Sequence, residues 1–205
     1  GSGRIGATLM ATDDVAFLDR LVAVVRSQLA IDAVFVTGFD SGAAMAQRFA
    51  LESQATISGV AAVAGHVWPP LIERARATNR SLSVLLLFGN DDPQNPRDGG
   101  TVDYGNGLVL TTPSPLATAS AFAQLLQCTT QLGATATIIQ STSWHACRNH
   151  TQVQLLQVDG LGHHWPGGEP TALPPDIVGP YEGRLRATDA IWRFFNQNKP
   201  ATRTN

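Results

Sequence analysis

Gly38-Phe39-Asp40-Ser41-Gly42 is the segment that decides the fold, because it has the spacing of a nucleophile elbow in matching surroundings. The apolar residues 33–37 precede it and have the composition of a buried strand. Residues 43–50 are mostly small and predict a helix that follows directly. A strand, a Gly-x-nucleophile-x-Gly turn and a helix together raise the central side chain above the end of a sheet. That residue is usually Ser, but here it is Asp40.

The rest of the chain alternates predicted helices with predicted strands. The uninterrupted apolar segment 83–88 is typical of a buried parallel strand, and the polar segment 89–107 after it is expected to be a loop. The other elements are strands at 57–63, 135–140 and 153–158 and helices at 13–29, 69–77, 115–132 and 184–196. This alternation predicts an α/β fold, a mostly parallel sheet with helices on both faces.

The composition fits one globular domain, assigned to residues 1–205, with residues 1–3 as a linker or cloning remnant. Hydrophobic residues make up 43% and charged residues 15%, which favours a packed core over a disordered chain. A net charge of −2 gives no electrostatic basis for binding nucleic acid or an anionic membrane. No apolar segment approaches the roughly 18 residues that span a bilayer, and the chain does not open on a signal-peptide pattern. We therefore expect neither nucleic acid nor membrane as a partner.

Three side chains that suit catalysis follow predicted strands in the order nucleophile, acid and histidine. Asp40 stands at the elbow, Asp92 follows the strand 83–88, and His163 follows the strand 153–158. Hydrolases with a nucleophile elbow have this chain order. In such a triad the histidine removes a proton from the nucleophile or from water, and the acid fixes the histidine tautomer. Taken alone, Asp40 also fits a helix cap, since Asp commonly caps helices.

The histidines and cysteines do not form a metal-binding motif. No His-Glu-x-x-His segment occurs, and His66, His145 and His150 are expected to be loop or core residues. Cys128 and Cys147 lack the spacing and the further ligands of a zinc site, so no metal is expected. A disulfide between them and a pair of buried free thiols are both compatible with the sequence.

With these residues in place, the chain resembles the secreted α/β-hydrolase esterases that include polyhydroxybutyrate depolymerases and feruloyl esterases. Residues 36–45 are similar to that family's Val-Thr-Gly-Leu-Ser-Ala-Gly-Gly-Ala-Met, and residues 89–100 to its Gly-Thr-Ala-Asp-x-x-Val-Pro-x-x-Gly-Gly. Residues 162–168 are similar to its Gly-His-x-Trp-Pro-Gly-Gly, the most specific of the three segments. The resemblance covers the chain from about Asp13 onward.

The resemblance implies an α/β-hydrolase fold with catalytic positions at Asp40, Asp92 and His163. It places the acid at Asp92 rather than at Asp91, because the family motif aligns with the second of the two carboxylates. It also implies that the backbone N–H of Ser41, the residue after the nucleophile, is an oxyanion donor.

The resemblance further implies a disulfide, a cellular setting and a class of substrate. Family members carry a cysteine ending the helix before the last strands and another soon after a Trp. Cys128 and the pair Trp144 and Cys147 match these, so a disulfide is implied. Phe39 and Trp165 are expected to contact the substrate. The implied setting is extracellular or periplasmic, without a cofactor, and the substrate is a small-molecule or polymeric ester of the hydroxyalkanoate or feruloyl type.

Asp40 departs from the family, in which Ser stands at this position. A carboxylate that attacks an ester carbonyl forms an anhydride, which is a poor route to hydrolysis. A charge here would also pair with His163 and hold the ring as imidazolium, so that it no longer serves as a base. We therefore predict a carboxylic ester hydrolase scaffold whose turnover is impaired by Asp40, through an engineered change or a natural loss of activity.

The second departure is at the N-terminal side of the fold. The resemblance implies that several N-terminal strands are missing, so we expect this chain to correspond to the C-terminal part of the fold. No histidine is followed by Gly, so the His-Gly-type loop that supplies a second oxyanion N–H has no counterpart. The strand at 33–37 is then expected to form an exposed apolar edge of the sheet. A complementing N-terminal segment or a second chain is the expected partner at this edge.

Two other functions fit the same residues. Haloalkane dehalogenases and epoxide hydrolases use an Asp nucleophile on this fold, and His activates water toward the ester that forms. They often carry Trp directly after the Asp, where this chain has Ser41. The third function is a non-catalytic module that binds an ester, a sugar or a polymer. In that case the loop 165–168 and Trp144 would form an apolar platform.

Overall fold

The computed structural model describes residues 13–104, 107–170 and 172–200. The strands are β1 (Phe35–Phe39), β2 (Gly59–Val63), β3 (Ser83–Gly89), β4 (Gly100–Asp103), β5 (Val109–Thr112), β6 (Thr130–Ala136), β7 (Ile139–His145) and β8 (Val153–Val158). The helices are α1 (Asp14–Gln28), α2 (Ser41–Glu52), α3 (Pro69–Ala75), α4 (Pro115–Leu125), α5 (Pro175–Val178) and α6 (Ala187–Gln197). None of these described helices is long and apolar enough to cross a bilayer.

The main sheet has six strands in the order β1-β2-β3-β8-β7-β6, and β4 pairs with β5 in a separate hairpin. Parallel pairing joins β1, β2, β3 and β8, so the carboxyl ends of these strands lie along one edge of the sheet. Every residue of β2 and β3 is buried, as expected for apolar strands covered on both faces. The elbow, the acid loop and the histidine loop follow β1, β3 and β8, and therefore meet at that edge.

Helices cover both faces of the sheet. On one face, α1 to α4 enclose a core that includes Phe49 and Phe122. On the other face, α6 contributes Ile191, Phe194 and Phe195 to a second core. The predicted α/β layering is therefore present, and each apolar face of the parallel strands is buried against helices.

The strand predicted at 135–140 is wrong, because the chain reverses within it. Thr137 has a φ of 55° and lies in the turn between β6 and β7, where Ala136 pairs with Ile139. The two turn residues are Thr and Ile rather than the Gly, Asn or Asp that favour tight hairpins. The sequence therefore carried no signal for this hairpin.

Two other predicted boundaries also differ from the structure. The helix predicted to end at residue 132 ends at Leu125, because Gln127 has a φ of 56° and the chain then enters β6. The segment 89–107, predicted as loop, contains β4, a short strand with only Val102 buried. Such a polar strand is stabilised by pairing with β5 rather than by burial, so its apolar pattern is weak.

A disulfide joins Cys128, after the end of α4, to Cys147, just after β7. It is the disulfide that the family resemblance implied. Trp144 on β7 is only 6% exposed and belongs to the core of α1 to α4. The expectation that Trp144 forms a surface platform is therefore wrong, because the pleat of β7 turns this side chain inward.

β1 forms an edge of the main sheet, and β2 is its only neighbour among the described residues. Val34 O accepts a hydrogen bond from Ser58 N, and Asp40 N donates to Val63 O. Since successive residues of a strand alternate in direction, the odd-numbered residues point their N–H and C=O groups to the open side. These residues are Phe35, Thr37 and Phe39.

Helix α1, which precedes β1 in the sequence, has an exposed apolar side. Val15 is buried against the core, whereas the opposite side of the helix carries three exposed apolar side chains at helical spacing. We call these residues the α1 stripe; their exposed fractions are 61% for Phe17, 49% for Leu21 and 52% for Val24.

Candidate active site

Asp40 lies in the turn between β1 and α2, and this turn has the geometry of a nucleophile elbow. Its backbone has a φ of 52° and a ψ of −122°, a strained conformation for a residue other than Gly. Asp40 N donates to Val63 O, and Ala44 N donates to Asp40 O, so both sides of the turn are fixed. A Cβ on Gly38 would overlap the carbonyl of Gly42, so the turn requires Gly at this position.

His163 lies between two carboxylates. Its Nδ1 is 2.9 Å from Asp92 Oδ2 and donates to it, because a carboxylate oxygen only accepts. Its Nε2 is 3.6 Å from Asp40 Oδ1 on the opposite side of the ring. His163 is 5% exposed and Asp92 2% exposed, whereas the side chain of Asp40 is 48% exposed. The structure thus brings together the three residues that the sequence singled out for catalysis.

The geometry tests two alternatives from the sequence: Asp40 as a helix cap, and Asp91 instead of Asp92 as the partner of His163. Asp40 is the N-cap residue of α2, but its side chain makes no capping hydrogen bond, so the helix-cap alternative lacks its interaction. Asp91 accepts a hydrogen bond from Gly160 N at 2.7 Å and so joins two loops, while Asp92 contacts His163. Of the two carboxylates, Asp92 is therefore the one that contacts the histidine.

Asp40 stands between two cavities. The smaller one, of about 80 Å³, extends toward α3 and β5, and its walls include Trp68 and Leu110. The larger one, of about 320 Å³, extends over the histidine loop, and its walls include Phe39 and Trp165. An ester bond held beside Asp40 would thus have room for one short and one bulky substituent.

Of the two aromatic residues predicted to contact the substrate, Phe39 lies beside the histidine and Trp165 lies beside Phe39. The rings of Phe39 and His163 have centroids 4.9 Å apart, and those of Phe39 and Trp165 are 6.5 Å apart in an edge-on arrangement. Trp165 is held by a hydrogen bond from its Nε1 to Thr188 Oγ1. These contacts give the larger cavity an apolar wall close to Asp40 and His163.

Ser41 is the first residue of α2, so its backbone N–H has no acceptor within the helix. The N-terminus of a helix also carries a partial positive charge that favours a developing oxyanion. Ser41 is therefore suitably placed, directly after Asp40, to donate to such an oxygen. We assign no second donor in the part of the chain that the structure describes.

Sequence reasoning missed Tyr104, which lines the smaller cavity together with Asp40. Its hydroxyl donates to Gln94 O at 3.0 Å. Burial, and then the charges of Asp40 and Asp92, raise the pKa of Tyr104 above its ordinary value. The phenol is therefore a neutral hydrogen-bond donor at the rim of the site. No motif in the sequence marks it.

His66, treated from the sequence as a loop or core residue, also lines the smaller cavity. Its ring stacks on Phe88 with centroids 4.6 Å apart, and its Nδ1 is 2.9 Å from Thr118 Oγ1. Burial lowers the pKa of His66 to about 4, and the charge of Asp92 opposes this shift in part. The ring is therefore neutral at pH 7.

This shift predicts a pH dependence of stability. Between pH 6.5 and about 4, His66 is protonated in the unfolded chain but not in the folded one. The free energy of unfolding should therefore fall as the pH is lowered through this range, by about 3 kcal/mol in total. Urea unfolding at pH 7 and at pH 4.5 measures the change, and His66→Gln should reduce it. An equal loss in both proteins would contradict the assignment.

The arrangement suits hydrolysis through general-base chemistry. No group of three His, Cys, Asp or Glu side chains within residues 13–104, 107–170 and 172–200 is arranged to hold a metal ion. The buried pair of Asp92 and His163 fixes the ring so that Nε2 faces position 40. A hydroxyl at that position, or a water beside it, would have its proton removed by Nε2.

Comparison with known proteins supports a hydrolase. A family described as phospholipase/carboxylesterase matches residues 16–101. The match contains the elbow and the acid loop, and His163 lies beyond it. No curated protein matches the sequence. The match supports a carboxylesterase or phospholipase type of scaffold, and with the mostly parallel sheet between helices it confirms an α/β-hydrolase fold.

Proposed function

We propose that this chain is the scaffold of a carboxylic ester hydrolase with a nucleophile, histidine and acid at positions 40, 163 and 92. The observation that carries the proposal is the position of the His163 ring. Its Nδ1 is 2.9 Å from Asp92, and its Nε2 is 3.6 Å from the side chain at the elbow. An esterase needs this alignment, because the same ring must hold the acid and face the nucleophile.

As it stands, we propose that the chain turns over esters poorly. Asp40 carries no hydroxyl proton for His163 to remove, and attack of its carboxylate on an ester carbonyl would give an anhydride. With Ser41 N–H as the assigned oxyanion donor, the charge that develops on the carbonyl oxygen is also incompletely stabilised. Asp40 therefore accounts for low turnover without any change in the surrounding fold.

For the substrate we propose a hydroxyalkanoate polymer or an aromatic acid ester of the feruloyl type. The larger cavity is open and has an aromatic wall of Phe39 and Trp165, which suits a bulky or extended substituent. We also propose an extracellular or periplasmic setting, which is supported by the disulfide between Cys128 and Cys147.

The test is an assay of the chain and of its Asp40→Ser variant on three classes of ester. These are a small aryl ester, a hydroxyalkanoate oligomer and a feruloyl ester. Turnover in the variant supports the proposal, and the preferred ester identifies the substrate class. Turnover only in the Asp40 form, on a haloalkane or an epoxide, would instead favour an Asp-nucleophile hydrolase. Binding of the oligomer without turnover in either form would favour a non-catalytic module.

We further propose that a complementing N-terminal segment covers β1 and the α1 stripe in the active protein. Among the described residues, the open side of β1 presents backbone groups that an added strand would satisfy, and the α1 stripe is a second exposed apolar surface. A strand added there parallel to β1 would end next to Asp40 and Ser41. It would therefore be well placed to bring a second oxyanion donor to the site.

Without such a segment, the chain is expected to bind an apolar fluorescent dye and to self-associate at micromolar concentration. Leu21→Lys should reduce both effects, because it puts a charge in the middle of the α1 stripe. Ala23→Lys, on an exposed side of the same helix outside the stripe, is the control. A monomer that binds no dye would contradict the proposal. A discrete dimer would instead identify a second copy of the chain as the occupant.

A further inference from the structure

Asn95 is a buried polar residue that no motif in the sequence marks. It lies three residues after Asp92 in the acid loop and is 5% exposed. Its side-chain nitrogen is 3.1 Å from Ala64 O, 3.0 Å from Asp92 Oδ2 and 3.3 Å from His163 Nδ1. Its backbone N–H donates to Asp92 Oδ1 at 3.1 Å. One residue thus contacts both members of the buried acid and histidine pair.

The surroundings fix the orientation of the Asn95 amide. Ala64 O and Asp92 Oδ2 are both acceptors, so an amide oxygen in this place would face two other oxygens. The amide NH2 has two protons, and these acceptors use both. His163 Nδ1 donates its own proton to Asp92 Oδ2, the same oxygen to which the Asn95 amide donates. The approach of His163 Nδ1 to the Asn95 nitrogen is therefore a contact between two donors and not a hydrogen bond.

Asp92 therefore receives four hydrogen bonds, and Asn95 provides two of them. Oδ1 accepts from the backbone of Gln94 and of Asn95, and Oδ2 accepts from the Asn95 amide and from His163. The backbone bonds hold one oxygen in place. The Asn95 amide holds the other and thereby sets the rotation of the carboxylate toward the imidazole ring.

The same amide connects the acid loop to the elbow. Ala64 directly follows β2, and the next residue, Gly65, packs so closely on the carbonyl of Asp40 that a Cβ would not fit. Gln47 of α2 also donates to Gly65 O, at 2.9 Å. The hydrogen bond from Asn95 to Ala64 thus joins the acid loop to a turn that is itself pressed against the elbow.

We infer that Asn95 is a positioning residue that orients Asp92 and, through it, keeps Nε2 of His163 facing the side chain at position 40. The inference rests on the proposed esterase function of the site. A purely structural role for Asn95 would require only that its polar atoms are satisfied. A positioning role requires in addition that the hydrogen bond between Asp92 and His163 changes when the amide is removed.

The test is Asn95→Leu, which keeps the shape of the side chain and removes its donors. In the chain as it stands, proton NMR should detect the buried Nδ1–H of His163 as a far-downfield signal, and the variant should shift or lose it. In the Asp40→Ser background, kcat for an aryl ester should fall roughly 10- to 100-fold while KM changes less than about twofold. Asn95→Ala, which cannot overpack the site, is the second variant.

Asn90→Leu is the matched control. Asn90 lies in the same loop and bonds Asp159 and Gln157 rather than the site, so its loss should leave the signal of His163 and kcat unchanged. An unaltered signal and an unaltered kcat in the folded Asn95 variants would overturn the inference. Because the NMR signal does not depend on turnover, it still decides the role of Asn95 if the Asp40→Ser form proves inactive.

Discussion

Asp40→Ser is expected to raise kcat/KM for a small aryl ester by roughly 10³-fold over the chain as it stands. A complete triad contributes on the order of 10⁶ in kcat. The lack of one oxyanion donor reduces this gain by roughly 10²- to 10³-fold. The new hydroxyl would lie near His163 Nε2, which now faces Asp40 Oδ1 at 3.6 Å. Initial rates of release of the aryl alcohol measure the change.

The Asp40→Asn variant separates the two effects of Asp40→Ser, which are the loss of the negative charge and the gain of a hydroxyl. It removes the negative charge beside His163, as Ser does, but provides no nucleophilic hydroxyl. We expect it to stay as inactive as the Asp40 form, and we expect Asp40→Ser with His163→Ala to lose the gain. Equal activity in the Asn and Ser forms would contradict an elbow nucleophile, because the gain would then come from removing the charge alone.

Asp92→Asn in the Asp40→Ser background is expected to lower kcat by roughly 10⁴-fold. The backbone N–H groups of Gln94 and Asn95 hold one oxygen of this side chain, so the new NH2 must take the place of Oδ2. It would then face His163 Nδ1 as a donor, and the ring would have to carry its proton on Nε2 instead. A histidine in that tautomer cannot accept the proton of a serine hydroxyl.

The same substitution should also lower the free energy of unfolding by about 1–3 kcal/mol. The new amide and the amide of Asn95 would be two donors in contact in a buried place. Urea unfolding monitored by tryptophan fluorescence measures this change beside the kinetic assay. Asp91→Asn is the matched control, since Asp91 bonds Gly160 N outside the site and its change should leave kcat unaltered. A kcat that is equally reduced by both substitutions would contradict the assignment of the acid.

Much of the fold was predictable because its determinants are local. The strand before Asp40, the apolar run of β3 and the helical spacing of α1 were recognisable from runs of a few residues. The positions of Asp92 and His163 were predicted for a related reason: parallel strands bring their carboxyl ends to one edge, so residues just after the strands meet. Their hydrogen bond at 2.9 Å is the outcome of that topology.

The features that were missed depend on residues distant in the chain. The turn at Thr137 has no local signal, and the hairpin of β6 and β7 forms because β7 can pair with β8. The non-catalytic alternative placed Trp144 on a surface platform, but the pleat of β7 turns this side chain inward. His66 and Asn95 gain their environment from partners 52 and 31 residues away, Thr118 and Ala64.

The sequence by itself determined the layered α/β fold and the three positions of the candidate site, because strand–turn–helix patterns and the order of strands are encoded in short segments. It also determined that position 40 lacks the usual hydroxyl. Only the tertiary structure decided which groups surround these positions: the Asn95 amide beside Asp92, the partly buried, neutral His66, and the two cavities on either side of Asp40. Those features arise where separate loops pack together, and the hydrogen bonds and burial that define them exist only after the chain has folded.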